Sequence, residues 1–595
     1  MIVTVIATSA LLLFQTAKGS IEGVVINNTT NQPIAGAQVT ATRIGTPPPL
    51  QPAGAQVPSG LVGGVTGGVI AGGTGGVMIV GPNGAPVQPV QIAPARTSTS
   101  GQFSFRDLEP GTYLLRASAD GYAQQEYNLR PGAQNGMSAS INLAPDQTAR
   151  GTVFRLTPGG TVSGRVTGSS GEPLVNIEVS LLRSTYDPDG RKTLQQRATG
   201  QTNDRGEYRM FWVTPGQYYL SAVSSNRPIP GGPFNPGGFT NKYPRTFYPS
   251  SSDVVSAVPI EVQPAVELSG LDFRLTEQPT YRVRGRVVDP TSGSTPPRTV
   301  SISIMPRDSV LNMGISYSGS PYNPGDGTFE LRDVPFGSYV IRGQLPINGR
   351  PEPGQPPSIP PVATVPVDVA GDVDGVVLTF VPPTAISGRI RIEGEPLPQN
   401  SRASVNLRPA VLGGVFGPSP RPSQANADGT FHIDGVGPGE YRVTANLQFG
   451  SSQMNLYVKE IRFGSTDVLS NPMVVTGATS DALEVVFGKD GGQVSGIVRA
   501  DSQQLISSAQ VVLVPAQRDR HDLYKFAIID ASGQFKFLSV PPGSYKVFAW
   551  ENVEQFSWFE PTVLARYEAQ GMPTTINPSS NVTLDLRVIP VAGAR

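Results

Sequence analysis

Residues 429–445 read GTFHIDGVGPGEYRVTA, and the same spacing of glycine, aromatic and tyrosine recurs at four other places in the chain. In each copy an aromatic residue follows the glycine by two positions and a tyrosine follows it by twelve. We call these positions the frame. The five sets are Gly101/Phe103/Tyr113, Gly206/Tyr208/Tyr218, Gly327/Phe329/Tyr339, Gly429/Phe431/Tyr441 and Gly533/Phe535/Tyr545. The recurrence predicts one folding unit repeated five times.

Each repeat contains short runs in which apolar and polar residues alternate, and this period of two is typical of half-buried strands. A run such as Ile177–Leu181 follows an opening Gly-x-Val or Gly-x-Ile, for example Gly388–Ile390. A turn rich in Asp, Asn and Gly precedes the frame aromatic. We expect the strand of the frame tyrosine to return antiparallel beside the aromatic strand. About seven strands per repeat favour two packed sheets, and therefore an all-β tandem array of five β-sandwiches.

The spacing of the repeats gives the predicted domain boundaries. Only eight to twelve residues connect the last strand of one repeat to the opening glycine of the next. We expect a rod or gently bent string of sandwiches whose neighbours touch without sharing a core. The predicted segments are a signal peptide at 1–19 and repeats at 20–157, 158–277, 278–382, 383–488 and 489–595.

The first repeat carries an insertion at residues 46–95, with paired glycines between Pro- and Gln-rich edges. Because glycine loses much backbone entropy on ordering, this composition favours a loose or disordered loop. A glycine-zipper segment for membrane insertion or self-association is the alternative. Residues 1–14 are almost all apolar and precede small residues, a pattern typical of a cleaved signal peptide. No basic residue precedes the apolar run, so a start assigned at the wrong residue or an uncleaved anchor is the alternative.

Charge and cysteine content exclude several classes of function. Lysine plus arginine and aspartate plus glutamate are balanced at 45 each, so no global field attracts nucleic acid or an anionic membrane. The chain has no cysteine, which excludes disulfides and a lipoprotein anchor. We expect an extracytoplasmic protein without a membrane span in its mature chain.

The order Gly-x-Val, Asp-x-x-Gly-x-Phe and Pro-Gly-x-Tyr-x-Leu-x-Ala resembles the carboxypeptidase regulatory-like domains. The resemblance implies Ig-like or transthyretin-like sandwiches of the kind repeated in bacterial secreted proteins. It also implies an accessory role, because the catalytic zinc domain of the metallocarboxypeptidases is not seen in this sequence. Related carbohydrate-binding-like sandwiches look similar, so sugar binding is one function that the resemblance allows.

Few residues suggest catalysis or metal binding. His432 and His521 are the two histidines, and the pattern places the first on an exposed strand face and the second in a polar surface loop. Asp187-Pro188-Asp189-Gly190 and Asp372-Val373-Asp374-Gly375 could bind calcium, but neither continues as an EF-hand loop, and turns are favoured. We therefore predict no catalytic residue, metal or cofactor.

Aromatic residues of the fifth repeat are the candidate ligand site. Alternation places Trp550 on the outer sheet face, and Trp558 and Phe559 follow in the next segment, where they could form an exposed shelf for a sugar ring. The alternative is that these residues cover the end of the last sandwich. Trp212, between Met210 and Val213, is expected to pack inside.

The sequence thus favours a non-catalytic structural or adhesive protein whose partners are a cell-surface protein or a polysaccharide, and not nucleic acid. Polysaccharide binding through repeat 5 is the alternative function. A glycoside-active enzyme is the third, because that chemistry needs only two suitably separated carboxylates.

Overall fold

The computed structural model describes residues 18–45, 69–70, 78–80, 86–87, 90–127, 141–187, 189–224, 243–290, 296–307, 322–346, 361–398, 401–410, 420–449, 455–500, 509–530 and 532–590. Residues 1–17 of the predicted signal peptide and most of the 46–95 insertion lie outside this part. Within the insertion, Val69–Ile70, Met78–Val80 and Pro86–Val87 pair as short antiparallel strands. Among the helices of the described part, none is long and apolar enough to cross a membrane.

Five kinds of strand recur, one of each kind in every repeat. The opening strands are Gly19–Asn27, Gly160–Thr167, Thr280–Val288, Thr384–Ile392 and Gly492–Arg499. The second strands are Gln38–Gly45, Ile177–Tyr186, Ser301–Pro306, Ser401–Pro409 and Gln510–Pro515. The aromatic strands are Gln102–Leu108, Glu207–Val213, Thr328–Pro335, Thr430–Val436 and Gln534–Val540. The tyrosine strands are Gly111–Ser118, Gly216–Ser224, Gly337–Gln344, Gly439–Phe449 and Gly543–Trp550. The closing strands are Thr148–Leu156, Phe273–Arg274, Val373–Thr379, Leu483–Gly488 and Asn581–Arg587.

Other strands and a few short helices complete the repeats. The additional strands are Val90–Gln91, Ala95–Arg96, Gln125–Glu126, Ile141–Leu143, Lys192–Gln201, Thr246–Phe247, Ile260–Val262, Glu267–Leu268, Val362–Val369, Ser423–Gln424, Tyr457–Phe463, Thr466–Asp467, Met473–Val475, Lys525–Ile528 and Met572–Ile576. The one α-helix of the described part is Pro561–Ala565, and the 3-10 turns there are Val254–Ser256, His521–Leu523, Ser557–Phe559 and Glu568–Gln570.

The same two-sheet topology recurs in all five repeats. The opening strand lies between the aromatic strand, which is antiparallel to it, and the closing strand, which is parallel to it. The second strand pairs antiparallel with the tyrosine strand in the other sheet. The all-β prediction is therefore confirmed.

The strands of the frame aromatics do not pair as the sequence predicted. We expected the strands of Phe431 and Phe535 to form hairpins with the tyrosine strands that follow them, and this is wrong. Phe431 lies opposite Gly388, and Phe535 lies opposite Gly496, so both aromatic strands pair with opening strands. The physical reason is that the turn after each aromatic strand crosses from one sheet to the other. The frame aromatics of the other three repeats also lie opposite their opening glycines.

The frame tyrosines fix that crossing. Each is buried, and each hydroxyl donates a hydrogen bond to the backbone carbonyl four residues upstream, at 2.5–3.1 Å. The acceptors are Glu109, Thr214, Pro335, Gly437 and Pro541. This contact resembles the tyrosine corner of immunoglobulin-like sandwiches. Since burial disfavours the phenolate, it raises the pKa of Tyr339 to about 12.

Two kinds of glycine are required by the geometry. Gly429 has φ +85°, a left-handed conformation, and a Cβ there would clash with the carbonyl oxygen of Ile390. In the opening strand, a Cβ on Gly23 would lie 2.6 Å from Cζ of Phe103. The frame aromatic therefore needs the opening glycine beneath its ring.

Each aromatic strand contains a bulge that the alternating pattern does not reveal. The register between the opening and aromatic strands shifts in every repeat. The residue six positions after each frame glycine has φ between +55° and +73°. These residues are Asp107, Trp212, Asp333, Gly435 and Ser539. The bulge leaves two consecutive residues unburied between two buried ones.

Apolar burial is divided among separate clusters. The five largest clusters are drawn from residues 21–156, 162–275, 283–380, 386–487 and 494–586, and they have no member in common. A smaller cluster lies on the outer face of the fifth repeat. The number of domains and their boundaries stay predictions.

The expected rod is wrong, because the chain folds back on itself. Strands Ile177–Tyr186 and Lys192–Gln201 form a hairpin of two ten-residue strands in repeat 2. Its tip contacts residues of repeats 4 and 5. The short connections limit only the distance between repeats that are neighbours in sequence. They therefore do not predict a contact of repeat 2 with repeats 4 and 5.

Candidate functional site

The frame residues lie in cores and turns and not on an exposed surface. The frame glycines all have φ between +73° and +85°, and they are Gly101, Gly206, Gly327, Gly429 and Gly533. The frame aromatics are 3–4% exposed, and they are Phe103, Tyr208, Phe329, Phe431 and Phe535. The frame tyrosines are 0–7% exposed, and they are Tyr113, Tyr218, Tyr339, Tyr441 and Tyr545. Since a buried ring cannot contact a partner, any binding surface is formed by other residues.

The aromatic shelf predicted in repeat 5 is a buried cluster instead. Trp550 does lie on the outer face, where it stacks on Phe548 with ring centroids 5.0 Å apart, but its exposed fraction is only 2%. Trp558 is 1% exposed and packs against Phe526 and Phe556. The prediction that these indoles are exposed is wrong, because the segment after the tyrosine strand, with its short helices, covers the face. The alternative interpretation, in which they cover the sandwich, describes them better.

Phe559 connects this cluster to a distant repeat. Its ring lies 4.5 Å from the ring of His521 and 4.6 Å from that of Tyr524, measured between centroids. On its other side lies Gly190 of repeat 2, so close that a Cβ on Gly190 would clash with the Cβ of Phe559. Phe559 is therefore a contact between repeats 2 and 5.

The tip of the repeat 2 hairpin is shaped by its own side chains. The Asp187 carboxylate accepts hydrogen bonds from the backbone N–H groups of Asp189 and Arg191, at 2.9 and 2.8 Å. Gly190 follows with φ +77°. Asp, which can bond its own backbone, and Gly, which tolerates positive φ, favour this turn. The turn directs the Asp189 side chain away from repeat 2.

Asp189 joins repeat 2 to repeat 4. Its carboxylate lies 2.6 Å from Nη2 of Arg408 and 3.9 Å from Nε of Arg442, and its side chain is only 10% exposed. Beside it, Nη1 of Arg191 donates to the carbonyl oxygen of Ala410 at 2.7 Å. One carboxylate therefore faces two guanidinium groups, and one guanidinium group binds a backbone carbonyl.

A second ion pair joins repeat 2 to repeat 5. Nη2 of Arg183 lies 3.3 Å from a carboxylate oxygen of Glu554, and both side chains are less than a quarter exposed. Burial raises the pKa of Glu554, while Arg183 and Arg197 act against that rise. Burial also lowers the pKa of Arg197. Removing either partner of this pair would leave the other charge largely buried and unpaired, which is destabilising.

We call the whole contact the junction. It comprises Arg183, Asp187, Asp189, Gly190 and Arg191 of repeat 2, Arg408, Ala410 and Arg442 of repeat 4, and His521, Glu554 and Phe559 of repeat 5.

His521 belongs to the junction. The prediction that it lies in an exposed polar loop is wrong. It is half-buried, and burial lowers the pKa of its imidazole. Arg442 lowers it further, and Asp189, Asp522 and Asp187 oppose the change. The other histidine, His432, is exposed as predicted, within 3.4 Å of Asp434.

The two aspartate motifs serve as turns and ion pairs. In the first, Asp187 and Asp189 make the contacts given above. In the second, Asp372 accepts the backbone N–H of Arg282, and Asp374 lies 3.5 Å from Arg284. Across the described residues, no three His, Cys, Asp or Glu side chains converge in a way that could hold a metal ion. The arrangement supports holding repeats together by charge and packing.

The sequence pattern does not identify the junction. At the hairpin tip it indicates only a turn or a calcium motif, because the partners Arg408 and Arg442 stand over two hundred residues away.

The prediction that Trp212 packs inside is also wrong. Its side chain is 51% exposed, because the bulge turns it outward between the buried Met210 and Val213.

One family model matches part of the first repeat. The family model of the carboxypeptidase regulatory-like domain matches residues 65–156. The first repeat is similar to this family. The match confirms the predicted resemblance there, within the sandwich whose core includes Phe103 and Tyr113. Among curated proteins, none matches the chain.

Several solved structures align with long stretches of the chain at low similarity. The Bacillus anthracis TIE protein aligns over 93% of this chain and 69% of its own, at 10% identity and a TM-score of 0.13. The minor pilin GBS52 of Streptococcus agalactiae aligns over 44% and 97%, at 13% identity and a TM-score of 0.20. The pilus protein RrgB of Streptococcus pneumoniae aligns over 73% and 99%, at 9% identity and a TM-score of 0.14.

Proposed function

We propose that this protein is a non-catalytic, extracytoplasmic structural or adhesive protein whose sandwiches are held in a folded-back arrangement by the junction. The observation that carries the proposal is the contact of Asp189 with Arg408 and Arg442, which ties repeat 2 to repeat 4. The apolar residues 1–14 support export. The repeated frame supports a structural role, since its residues serve cores and turns.

The charged groups of the junction bind each other. The Asp189 carboxylate is largely buried against guanidinium groups, and Glu554 is paired with Arg183. A largely buried group saturated by protein partners is poorly placed to bind a substrate. Complementary charges on separate repeats also disfavour other arrangements of the repeats, because a misaligned contact would leave a buried charge unpaired.

The contacts of the junction are individually modest in energy, so the junction is sensitive to single substitutions. A hydrogen bond to a charged group contributes about 1.5–3 kcal/mol, and exposed ion pairs contribute about 0–1 kcal/mol. We expect the contribution of the Asp189–Arg408 pair to lie between that of an exposed ion pair and that of a buried charged hydrogen bond, because the side chains are 10% and 40% exposed.

A double-mutant cycle tests the proposal. We expect Asp189→Asn and Arg408→Gln to show a coupling free energy of about 1–2 kcal/mol in thermal unfolding of the full chain. The matched control is the exposed pair of Asp374 and Arg284, both in repeat 3 and 3.5 Å apart, which should couple by less than about 1 kcal/mol. Additive effects at Asp189 and Arg408 would contradict a tie between repeats 2 and 4.

The aromatic cluster of repeat 5 is not part of the proposal. Sugar stacking needs an accessible ring face, and Trp550 and Trp558 are both buried.

A further inference from the structure

Repeat 2 exposes two consecutive aromatic side chains on one sheet face. Phe211 is 56% exposed and Trp212 is 51% exposed, between the buried Met210 and Val213. The strand bulge produces this arrangement, because it inserts one extra outward position into the alternating pattern. Both rings therefore lie on the outer face of the sheet formed with strand Gly160–Thr167.

This aromatic pair distinguishes repeat 2 from the other repeats. The same two bulge positions hold Arg106–Asp107, Arg332–Asp333, Asp434–Gly435 and Leu538–Ser539 elsewhere. Trp212 also has φ +55°, a left-handed conformation that Asp and Gly adopt readily and that a bulky residue disfavours. An exposed tryptophan at a strained position gains nothing from core packing. Strained conformations of this kind cluster at functional sites.

Polar groups lie beside the Phe211 ring and on the neighbouring strands. The guanidinium carbon of Arg209 lies 4.8 Å from the centroid of the Phe211 ring. Arg209 also pairs with Glu267 at 3.1 Å, and each of the two side chains is about half exposed. Ser163 lies opposite Arg209 in the sheet register, and Thr161 lies opposite Glu267. The surface thus combines an open indole with charged and hydroxyl groups that can donate and accept hydrogen bonds.

We propose that this face of repeat 2 binds a neutral polysaccharide. The C–H face of a pyranose ring stacks on Trp212, and its hydroxyl groups exchange hydrogen bonds with Arg209 and Glu267. A protein partner fits less well, because a stable interface needs about 800 Å² per side with an apolar centre. Here two rings are bordered by an exposed ion pair. The site is separate from the junction, so the two proposals can fail independently.

Tryptophan fluorescence of the full chain tests the site selectively. The chain has three tryptophans, and Trp550 and Trp558 are buried, so Trp212 is the one that iodide can quench. The probes are cellohexaose, xylohexaose, mannohexaose and N-acetylchitohexaose. We expect at least one of them to shift the emission and protect Trp212 from iodide. Because this indole supplies the stacking surface, Trp212→Asp should weaken binding of that sugar, measured by calorimetry, at least about tenfold.

The substitution and its controls separate binding from folding. Trp212→Asp introduces the residue that repeats 1 and 3 carry at this position, so the thermal midpoint should stay the same or rise. Asp333→Ala, at the same position of repeat 3, should leave sugar binding unchanged, as should Asp189→Asn. The proposal is overturned if none of the four sugars binds, or if Trp212→Asp binds them as the wild type does. A dimer that Trp212→Asp dissociates would also overturn it, since a second copy would then occupy the face.

Discussion

Truncating one frame tyrosine should unfold one repeat and leave the others intact. Tyr339 is 5% exposed in the core of repeat 3, and its hydroxyl donates to the Pro335 carbonyl oxygen at 3.1 Å. Tyr339→Ala removes the ring from a packed core and should cost about 3–5 kcal/mol. Tyr339→Phe keeps the ring but leaves the carbonyl without its partner, which should cost about 1–3 kcal/mol.

Calorimetry with limited proteolysis measures both effects. In a unit of about 100 residues, each kcal/mol lowers the melting temperature by roughly 4–8 °C, so Tyr339→Ala should separate a low-temperature transition from the rest. Mass spectrometry should locate the new cleavage sites between residues 278 and 382. Equal loss of protection in all repeats would refute the interpretation of separate cores. A Phe variant as damaging as the Ala variant would refute the division between packing and hydrogen bonding.

Two further predictions concern repeat 4 and the junction. Gly429→Ala should destabilise repeat 4 by more than about 1–3 kcal/mol. The control Gly394→Ala, also at positive φ but with open space around its Cβ, should cost only about 1 kcal/mol. Equal losses of unfolding free energy in chemical denaturation would contradict the clash with Ile390. Burial lowers the pKa of His521 in the folded protein, so folding favours the neutral imidazole. The stability that His521 contributes is therefore complete above its unfolded pKa of about 6.5. It is lost as the pH falls through the lower pKa of the folded state. His521→Phe, which keeps a ring against Phe559, should remove that part of the dependence of the melting temperature on pH, and identical wild-type and variant slopes would show that His521 does not titrate in this way.

The frame predicts the fold of a repeat because its residues act locally. The positive φ of Gly429 and the burial of Phe431, Phe535 and Tyr441 follow from a turn and a core that the sequence pattern displays directly. The partner of the strands that carry Phe431 and Phe535 could not be predicted, since strands adjacent in sequence need not share a sheet. The hydroxyl of each frame tyrosine stabilises the turn by which the chain crosses from the sheet of the aromatic strand to the other sheet.

Alternation predicts the side of the sheet but not what covers it. Trp550 lies on the outer face as expected, yet the following segment buries it. The position of Trp212 differs from the prediction because a bulge adds one residue and breaks the period of two. The junction could not be predicted from the sequence, since Asp189 and Arg408 come together only through the arrangement of whole repeats.

Small-angle X-ray scattering of the full chain, with and without Asp189→Lys, tests the folded-back arrangement most directly. The lysine would face Arg408 and Arg442, so the account predicts that the junction opens and that the radius of gyration and maximum dimension increase. Asp374→Lys, which alters an ion pair within repeat 3, should leave both values at those of the wild type. A wild type that is already extended, with a scattering profile unchanged by Asp189→Lys, would contradict the account.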